Sequence, residues 1–193
     1  MPENIKTIVI GGSAGSFNVV RKILAALPSG FQLPVFLCLH RLRDVRNGFA
    51  ESLNLISRMP VIEPLDKTPV EPGYVYLSPA NYHMLVEPSN SIALSIEPEV
   101  NYSRPSIDMT FMTSSFTYGK HMAGILLSGT NSDGAKGLHY AYKKGSLTLI
   151  QDPVTAQFGT MPGEALKYFK PHMILAEDEI ITFIINLKNN IYA

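Results

Sequence analysis

Two spacings of apolar residues alternate along the chain, and they predict strands and helices in turn. Residues 5–10 are rich in β-branched side chains, which predicts a strand that runs into a glycine-rich turn. Beyond this turn the apolar residues recur at helical spacing, and Pro28 with Gly30 ends the helix. A second apolar strand, Val35–Leu39, follows and ends at His40. The chain therefore begins with a strand–helix–strand unit.

The same alternation continues to the end of the chain. Further strands are predicted at Val61–Ile62, 74–77, 123–127, 146–150 and Met173–Leu175, and further helices around 49–56, at Ile107–Tyr118, around 138–142, from Pro162 and at the end. Residues 84–87 and 92–96 flank a short polar link and predict an antiparallel hairpin. This order predicts an α/β fold: a doubly wound, mainly parallel sheet with helices on both faces and the hairpin at one edge. No polar segment is long enough to separate two cores, so residues 1–193 are predicted to form a single domain.

Composition narrows the class of protein. The 193 residues are 46% hydrophobic and 17% charged, which fits a folded domain and excludes a disordered polar chain. The basic residues number 16 and the acidic residues also number 16. Nucleic-acid binders draw most of their affinity from a basic excess, so no nucleic-acid partner is expected.

Cysteine use and the lengths of the apolar runs bear on the compartment. The single cysteine, Cys38, cannot form an internal disulfide, and Lys6 interrupts the apolar run near the N-terminus. The longest apolar runs are far shorter than the roughly 20 residues that a membrane-spanning helix needs. We therefore expect a cytoplasmic protein that does not insert into membranes. The oligomeric state stays open.

Three loops carry the candidate chemistry. In an open α/β sheet, ligands bind beyond the carboxyl ends of the strands. The loops that follow residues 10, 39 and 127 contain Ser13, His40 and Asp133. A nucleophile, a general base and an acid that orients the base can therefore meet at one edge of the sheet as a catalytic triad.

Ser13 has the most informative neighbours. The order strand, Gly-Gly-Ser-Ala-Gly, helix matches the Gly-x-Ser-x-Gly pattern of a nucleophile elbow, and the following helix offers free N–H groups to an oxyanion. A glycine-rich turn in this place is also typical of phosphate and nucleotide sites, in which Ser13 would cap the helix. The turn lacks the full Gly-x-Gly-x-x-Gly and a Gly-Lys-Ser/Thr sequence, which weakens the second interpretation without removing it.

His40 and Asp133 have structural interpretations as well. A histidine at the end of an apolar strand is often a hydrogen-bonded structural residue, and an aspartate before a helix is often its N-cap. As a catalytic acid, Asp133 would accept a hydrogen bond from Nδ1–H of His40 and so fix the tautomer of the ring. Asp108 is the rival acid, although its place at the start of a helix favours capping. Cys38 lies on the same strand face as His40 and is predicted to be a core thiol.

The remaining histidines predict little chemistry. No two of them have the i, i+4 spacing of a helical metal site, and the cysteine stands apart from a ligand cluster. Neither a metal nor another cofactor is therefore predicted. His83 follows a predicted strand on the same edge as Ser13 and is a candidate substrate contact.

The candidate loops belong to a longer series of motifs. The series comprises Ile-Gly-Gly-Ser-Ala-Gly at 10–15, the strand ending at His40, Phe-Ala-Glu-Ser-Leu-Asn at 49–54, Gly-Tyr-Val-Tyr-Leu-Ser-Pro at 73–79 with His-Met at 83–84, Arg-Pro-Ser-Ile-Asp at 104–108, Leu-Ser-Gly at 127–129, Ser-Asp-Gly-Ala at 132–135, Ala-Gln-Phe at 156–158 and Met-Pro at 161–162. It resembles the catalytic domain of the chemotaxis protein-glutamate methylesterases, the CheB-type family, from residue 8 to about residue 175. Each motif is weak alone, but their shared order and spacing are specific.

The resemblance implies a doubly wound fold and an activity. Ser13 would be the nucleophile, His40 the base and Asp133 the orienting acid. The family removes methyl groups from γ-glutamyl methyl esters on chemoreceptor helices, and members also deamidate receptor glutamines. The chain is therefore expected to be a serine carboxylic ester hydrolase that needs no cofactor and whose partner is a methylated chemoreceptor.

The resemblance also implies supporting roles. Backbone N–H groups near Ala14 and Thr130 would hold the oxyanion. We further take His83, Arg104 and Met161 as candidate substrate contacts, since a receptor helix with nearby carboxylates would attract a cation such as Arg104. Two alternatives stay open: an esterase of the same fold that acts outside chemotaxis, and a non-catalytic module that binds a phosphate or nucleotide at residues 11–15.

The chain departs from the pattern of the family in two ways. Where the family commonly shows Gly-Met-Gly, this chain has Gly129-Thr130-Asn131, and Asn131 in place of glycine bears on the shape of the loop and the fit of substrate. No receiver domain precedes Ile5. Control by phosphorylation of such a domain is therefore not expected. The activity would then be regulated by a separate protein or not regulated, or the chain would have a different function.

Overall fold

The computed structural model of the protein describes residues 4–41 and 48–187. The strands are β1 (Thr7–Gly12), β2 (Val35–Leu39), β3 (Val61–Ile62), β4 (Thr68–Pro69), β5 (Val75–Leu77), β6 (His83–Glu87), β7 (Ser91–Ser95), β8 (Met122–Leu126), β9 (Leu147–Gln151) and β10 (Met173–Leu175). The helices are α1 (Phe17–Ala26), α2 (Phe49–Asn54), α3 (Ile107–Tyr118), α4 (Ala135–Lys143), α5 (Thr160–Leu166) and α6 (Glu177–Leu187), with a short 3₁₀ helix, Gly119–His121, between α3 and β8.

The main sheet is parallel throughout and has seven strands in the order β10-β9-β8-β1-β2-β5-β3. The chain extends the sheet from β1 through β2 and later, on the other side of β1, through β8. The loops that leave β8, β1 and β2 therefore lie side by side at the carboxyl edge. Such a reversal of strand order is where open α/β sheets bind ligands. The predicted doubly wound architecture is confirmed.

Helices cover both faces of the main sheet, which explains why its strands are apolar along their whole length. On one face, buried residues of α1, α2 and α6 pack against the strands in a single cluster. On the other face, Phe111 of α3, Leu138 of α4 and Ala165 of α5 belong to a second cluster. Within α1, the buried residues Val20 and Leu24 are one turn apart, as the helical spacing in the sequence predicts.

The predicted hairpin forms, but it does not extend an edge of the main sheet. Its strands β6 and β7 join β4 in a separate antiparallel sheet of order β4-β7-β6. Buried side chains of this small sheet, among them Met84, Val86 and Ile92, belong to the same apolar cluster as α3. The apolar pattern predicts the pairing of β6 with β7, whereas the location of the hairpin depends on packing against α3.

Element bounds differ little from the predicted ones. Strand β1 continues beyond residue 10 because Gly11 and Gly12 still pair with Cys38 and Leu39. Within the described residues, no helix combines the length and the apolarity that crossing a membrane requires. Parts of the predicted single domain, residues 1–3, 42–47 and 188–193, lie outside the described residues.

Candidate active site

The register of the main sheet places Ser13 beside His40. Gly12 at the end of β1 pairs with Leu39 at the end of β2, so the next residue of each strand lies at the same level. Neighbouring strands are about 4.8 Å apart. On the other side, the N–H of Ser13 donates to the carbonyl of Ser128 at 2.9 Å. Ser13 therefore lies between the end of β2 and the loop after β8.

The backbone of Ser13 is fixed by the turn that follows it. Both the N–H and the hydroxyl of Ser16 donate to the Ser13 carbonyl, at 3.0 and 2.6 Å. Ser13 does not have a positive φ, so the Gly-x-Ser-x-Gly match is not the strained elbow of the α/β-hydrolases. Among the described residues, none makes a hydrogen bond with the Ser13 hydroxyl. Ser13 is partly exposed.

His40 pairs with Asp133 through Nε2, which lies 2.8 Å from Oδ2 of the carboxylate. The prediction that Nδ1 makes this bond is wrong. Asp133 has no exposed surface and lies deep in the loop after β8, so the distal nitrogen of the imidazole is the one that reaches it. Because Nε2–H donates to a carboxylate, the neutral ring carries its lone pair on Nδ1. Nδ1 is therefore the nitrogen that can act as a general base.

Asp133 lies at the N-terminus of α3 and is held by several donors. Its Oδ2 accepts the backbone N–H of Ile107 at 2.7 Å, and its Oδ1 accepts the N–H of Asp108 at 3.2 Å. The Ser106 hydroxyl and the Asn101 amide also donate to Oδ1, each at 3.1 Å. Free N–H groups at a helix start favour a negative charge. Asp133 thus caps α3, and not the helix that follows it in sequence.

These donors keep Asp133 ionised. Burial alone would raise the pKa of Asp133, but the hydrogen bond and charge of His40, the N–H of Ile107 and the amide of Asn101 hold it below its ordinary value. A carboxyl whose pKa is lower in the folded state stabilises the protein above the unfolded pKa of about 3.9. That contribution is lost as the pH falls through the folded pKa.

Asp108 does cap a helix, but that helix is α4 and not α3, at whose start Asp108 lies and which its position in the sequence predicted it would cap. Its Oδ1 accepts the N–H of Gly137 at 2.6 Å, and its Oδ2 accepts the Asn101 amide at 2.9 Å. Burial and the nearby charge of Asp133 raise the pKa of Asp108. Asn101 thus bridges two buried carboxylates, of which Asp133 is the one that contacts His40.

Two polar side chains that sequence reasoning did not assign to the base lie next to Nδ1 of His40. The Ser103 hydroxyl and the Asn131 amide nitrogen are each 3.4 Å from Nδ1. Ser103 is presented by a tight turn, in which Asn101 and Tyr102 have φ values of 51° and 60°. Two central residues with positive φ are typical of a type I′ turn. Asn101 is a common residue in such turns. Nothing in the sequence predicts the positive φ of Tyr102, whose side chain is exposed to solvent.

The predicted oxyanion donors lie at the surface near Ser13. Ala14 and Thr130 are both exposed, and neither N–H donates to another residue of the described chain. Ser128 connects the two loops, since its hydroxyl donates to the Ala14 carbonyl at 2.9 Å and accepts the N–H of Phe158 at 3.0 Å. Within the described part of the chain, two N–H groups near Ser13 are therefore without an acceptor, as an oxyanion site would require.

Each of the three predicted substrate contacts already bonds to or packs against other residues of the protein. His83 is fully buried, with Nδ1 accepting the N–H of Ser106 and Nε2 donating to the Pro98 carbonyl. The Arg104 guanidinium donates to Asn81 and to the carbonyls at positions 96 and 97. Met161 is fully buried against Gly129. His83 and Met161 therefore belong to the packed interior next to the site. Of the three residues, Arg104 is the one that lines a cavity beside His40.

One cavity borders His40, and a second lies beside Gly15, two residues after Ser13. The first, of about 80 Å³, is lined by His40, Arg41, Tyr102, Ser103, Arg104 and Pro105. The other, of about 510 Å³, lies beside Gly15, and its wall includes Asn18, Arg21 and Gln157. The smaller space suits a single side chain, and the larger one has room for several residues of a polypeptide.

Cys38 takes no part in this chemistry. It is fully buried on the α3 face, and burial raises the pKa of its thiol to about 12. The prediction of a core thiol is confirmed. Among the described residues, no group of three His, Cys, Asp or Glu side chains is placed to hold a metal ion.

Gly134 connects Asp133 to α4 and leaves no room for a side chain. Its φ is +89°, and an added Cβ would lie 2.6 Å from Leu126 and 2.7 Å from Ile107. We predict that Gly134→Ala lowers the free energy of unfolding by about 3 kcal/mol, from the left-handed backbone and overpacking together. Gly30→Ala is the matched control, because Gly30 has φ +84° and open space around it. Urea denaturation should show a loss of only about 1 kcal/mol for the control, and equal losses would contradict the steric argument.

Comparison with known proteins identifies the family of the chain. Residues 8–184 match the family model of the CheB methylesterases. A provisionally named protein-glutamate methylesterase/protein-glutamine glutaminase of Leptospira interrogans is 36% identical over 187 residues, which are 97% of this chain and 97% of that protein. Protein-glutamate methylesterase/protein-glutamine glutaminase 4 of Geobacter metallireducens is 36% identical over 188 residues, and this chain spans 54% of its length.

A solved structure has the same fold. The crystal structure of the Thermotoga maritima CheB methylesterase catalytic domain superposes with a TM-score of 0.89 and 26% sequence identity, covering 95% of this chain and 99% of that one. The shared parallel sheet includes the carboxyl edge at which Ser13, His40 and the loop of Asp133 meet. With a family match over nearly its whole length, the chain belongs to the CheB methylesterase family.

Proposed function

We propose that this protein hydrolyses γ-glutamyl methyl esters on chemoreceptors to glutamate and methanol, and that it also deamidates receptor glutamines. The names of its relatives support both activities. The observation that carries the proposal is the His40–Asp133 hydrogen bond, formed at the position where the sheet register sets His40 beside Ser13. A buried, ionised acid, an oriented imidazole and an unpartnered hydroxyl are the parts that acyl transfer needs.

Acylation begins at the base nitrogen identified above. Nδ1 of His40 takes the proton of the Ser13 hydroxyl as Oγ attacks the ester carbonyl carbon, and the carbonyl electron pair moves onto the oxygen. The tetrahedral intermediate then collapses, the bond to the methoxy oxygen breaks, and His40 gives its proton to the departing methanol. Asp133 stays ionised throughout and stabilises the imidazolium through Nε2–H.

Deacylation repeats the same proton transfers with water. Nδ1 removes a proton from water as the water oxygen attacks the acyl carbon, and the proton returns to Oγ of Ser13 when the acyl–enzyme bond breaks. The products are a glutamate side chain and regenerated enzyme. With glutamine as substrate, ammonia leaves in place of methanol.

The free N–H groups of Ala14 and Thr130 would bind the oxygen that becomes negative in both steps. Preorganised donors of this kind are usually the largest electrostatic contribution in such sites. The larger cavity beside Gly15 would receive the polypeptide that carries the ester, and the exposed cation Arg21 on its wall suits a substrate with neighbouring carboxylates.

Release of methanol from a methylated receptor cytoplasmic fragment tests the proposal. We expect methanol in proportion to the enzyme, and ammonia when the same fragment carries glutamine at these positions. No methanol from the receptor, together with hydrolysis of a small ester that depends on Ser13, would support an esterase acting outside chemotaxis. No hydrolysis of either substrate would contradict the proposal and favour a binding module.

A further inference from the structure

Asn131 has an amide nitrogen that faces the reacting groups. Its Oδ1 accepts the backbone N–H of Asp133 at 3.1 Å, and its Nδ2 lies 3.4 Å from Nδ1 of His40. The oxygen is identified by the N–H that it accepts, so the atom beside the imidazole must be the NH₂ group, which can only donate. One end of the amide is thereby anchored, and its donor end points to the place of reaction.

The resting contact of this donor is a weak one. A distance of 3.4 Å between Nδ2 and Nδ1 lies beyond the usual 2.7–3.2 Å range of N–H hydrogen bonds. During reaction Nδ1 binds the proton of Ser13, and a base must come within about 3.2 Å of the hydroxyl that it deprotonates. Nδ1 then has no lone pair to offer to Asn131. The amide hydrogen is then free for another acceptor, and the new anionic acceptor that forms at this moment is the oxygen of the attacked carbonyl.

We propose that Asn131 is a catalytic residue of this chain and that its Nδ2–H donates to the oxyanion of the tetrahedral intermediate. The inference rests on the proposed chemistry of Ser13 and adds a side-chain donor to the backbone donors of Ala14 and Thr130. A hydrogen bond to a charged oxygen is about twice as strong as one between neutral groups, so this contact strengthens as the transition state forms.

Substitution of Asn131 gives the first part of the test. Asn131→Ala removes the donor, and we expect kcat for a short peptide with a glutamate γ-methyl ester to fall by about 10²-fold with little change in KM. Asn131→Asp keeps the acceptor for the Asp133 N–H but replaces the donor with a carboxylate oxygen, and the loss should be larger. Ser132→Ala, an exposed neighbour in the same loop, is the control and should keep the wild-type kcat. Urea denaturation of all three variants checks that they are folded.

A sulfur-substituted substrate distinguishes an oxyanion donor from a residue that merely holds His40. Sulfur accepts hydrogen bonds poorly, so wild-type enzyme should cleave the thionoester of the same peptide more slowly than the ester. In Asn131→Ala this preference for oxygen should shrink, because one of the donors that creates it is gone. A positioning role would slow both substrates equally, and an unchanged ratio overturns the inference.

Failure of the proposed function gives a different result. Peptide hydrolysis that persists in Ser13→Ala would overturn both the nucleophile assignment and the role of Asn131. Hydrolysis that requires Ser13 but proceeds at the wild-type rate, or faster, in Asn131→Ala overturns the role of Asn131 alone.

Discussion

Ser13→Ala is expected to reduce ester hydrolysis by a factor on the order of 10⁶, which is the typical cost of removing the nucleophile or the base of a serine hydrolase. The alanine variant keeps the oxyanion donors and the cavities but has no atom that can form the acyl–enzyme. Initial rates of methanol release by wild-type and variant enzyme, at equal concentration, measure the loss.

The fold should not change in this variant. None of the described residues bonds to the Ser13 hydroxyl, and its backbone contacts to Ser16 and Ser128 do not involve the side chain. We therefore expect the free energy of unfolding to stay within about 0.5 kcal/mol of wild type. A residual rate within tenfold of wild type, from a protein of unchanged stability, would show that another group is the nucleophile.

Asp133→Asn is expected to reduce kcat by about 10⁴-fold because it imposes the wrong tautomer on His40. An NH₂ group at the Oδ1 position would face the N–H groups of Asn101 and Asp108. At the Oδ2 position the NH₂ group would face two present donors, the N–H of Ile107 and Nε2–H of His40. The imidazole can move its hydrogen to Nδ1 and accept through Nε2, so only the N–H of Ile107 would oppose the NH₂ group. The amide should therefore place its nitrogen at Oδ2 and donate to Nε2, which moves the ring hydrogen to Nδ1 and removes the lone pair that accepts the Ser13 proton.

Stability should fall in this variant as well, by about 1–3 kcal/mol, because a backbone donor at the start of α3 loses its acceptor. Asp108→Asn is the matched control, being a buried carboxyl in the same network that does not contact His40. Its kcat should stay within about tenfold of wild type, because the tautomer of the ring is unaffected. Similar losses of kcat in both variants would contradict the assignment of Asp133 as the orienting acid.

The apolar pattern was sufficient to predict the strands of the main sheet and the loops that meet at its carboxyl edge. Strands β2, β3 and β10 have the predicted bounds, because runs of β-branched and aliphatic residues bounded by polar turns have few other solutions. Parallel strands that alternate with helices bring their carboxyl ends to one edge. That rule alone placed the loops of Ser13, His40 and Asp133 together.

Features that depend on packing between distant segments could not be predicted. The nitrogen of His40 that binds Asp133 depends on how deeply the carboxylate is buried, and the burial of His83 depends on α3 covering it. The Asn101 amide joins two carboxylates through a turn whose second residue, Tyr102, has an unfavourable φ. Such a conformation contradicts local propensity and persists only because surrounding contacts impose it.

Labelling with a fluorophosphonate tests the central claim most directly, because the reagent phosphonylates only a serine that a neighbouring base activates. Digestion and mass spectrometry of the labelled protein should locate the adduct on Ser13, and His40→Ala should abolish it. Ser103, whose hydroxyl lies 3.4 Å from Nδ1 of His40, is the competing site. An adduct on Ser103, or labelling of Ser13 that persists without the imidazole, would contradict the account.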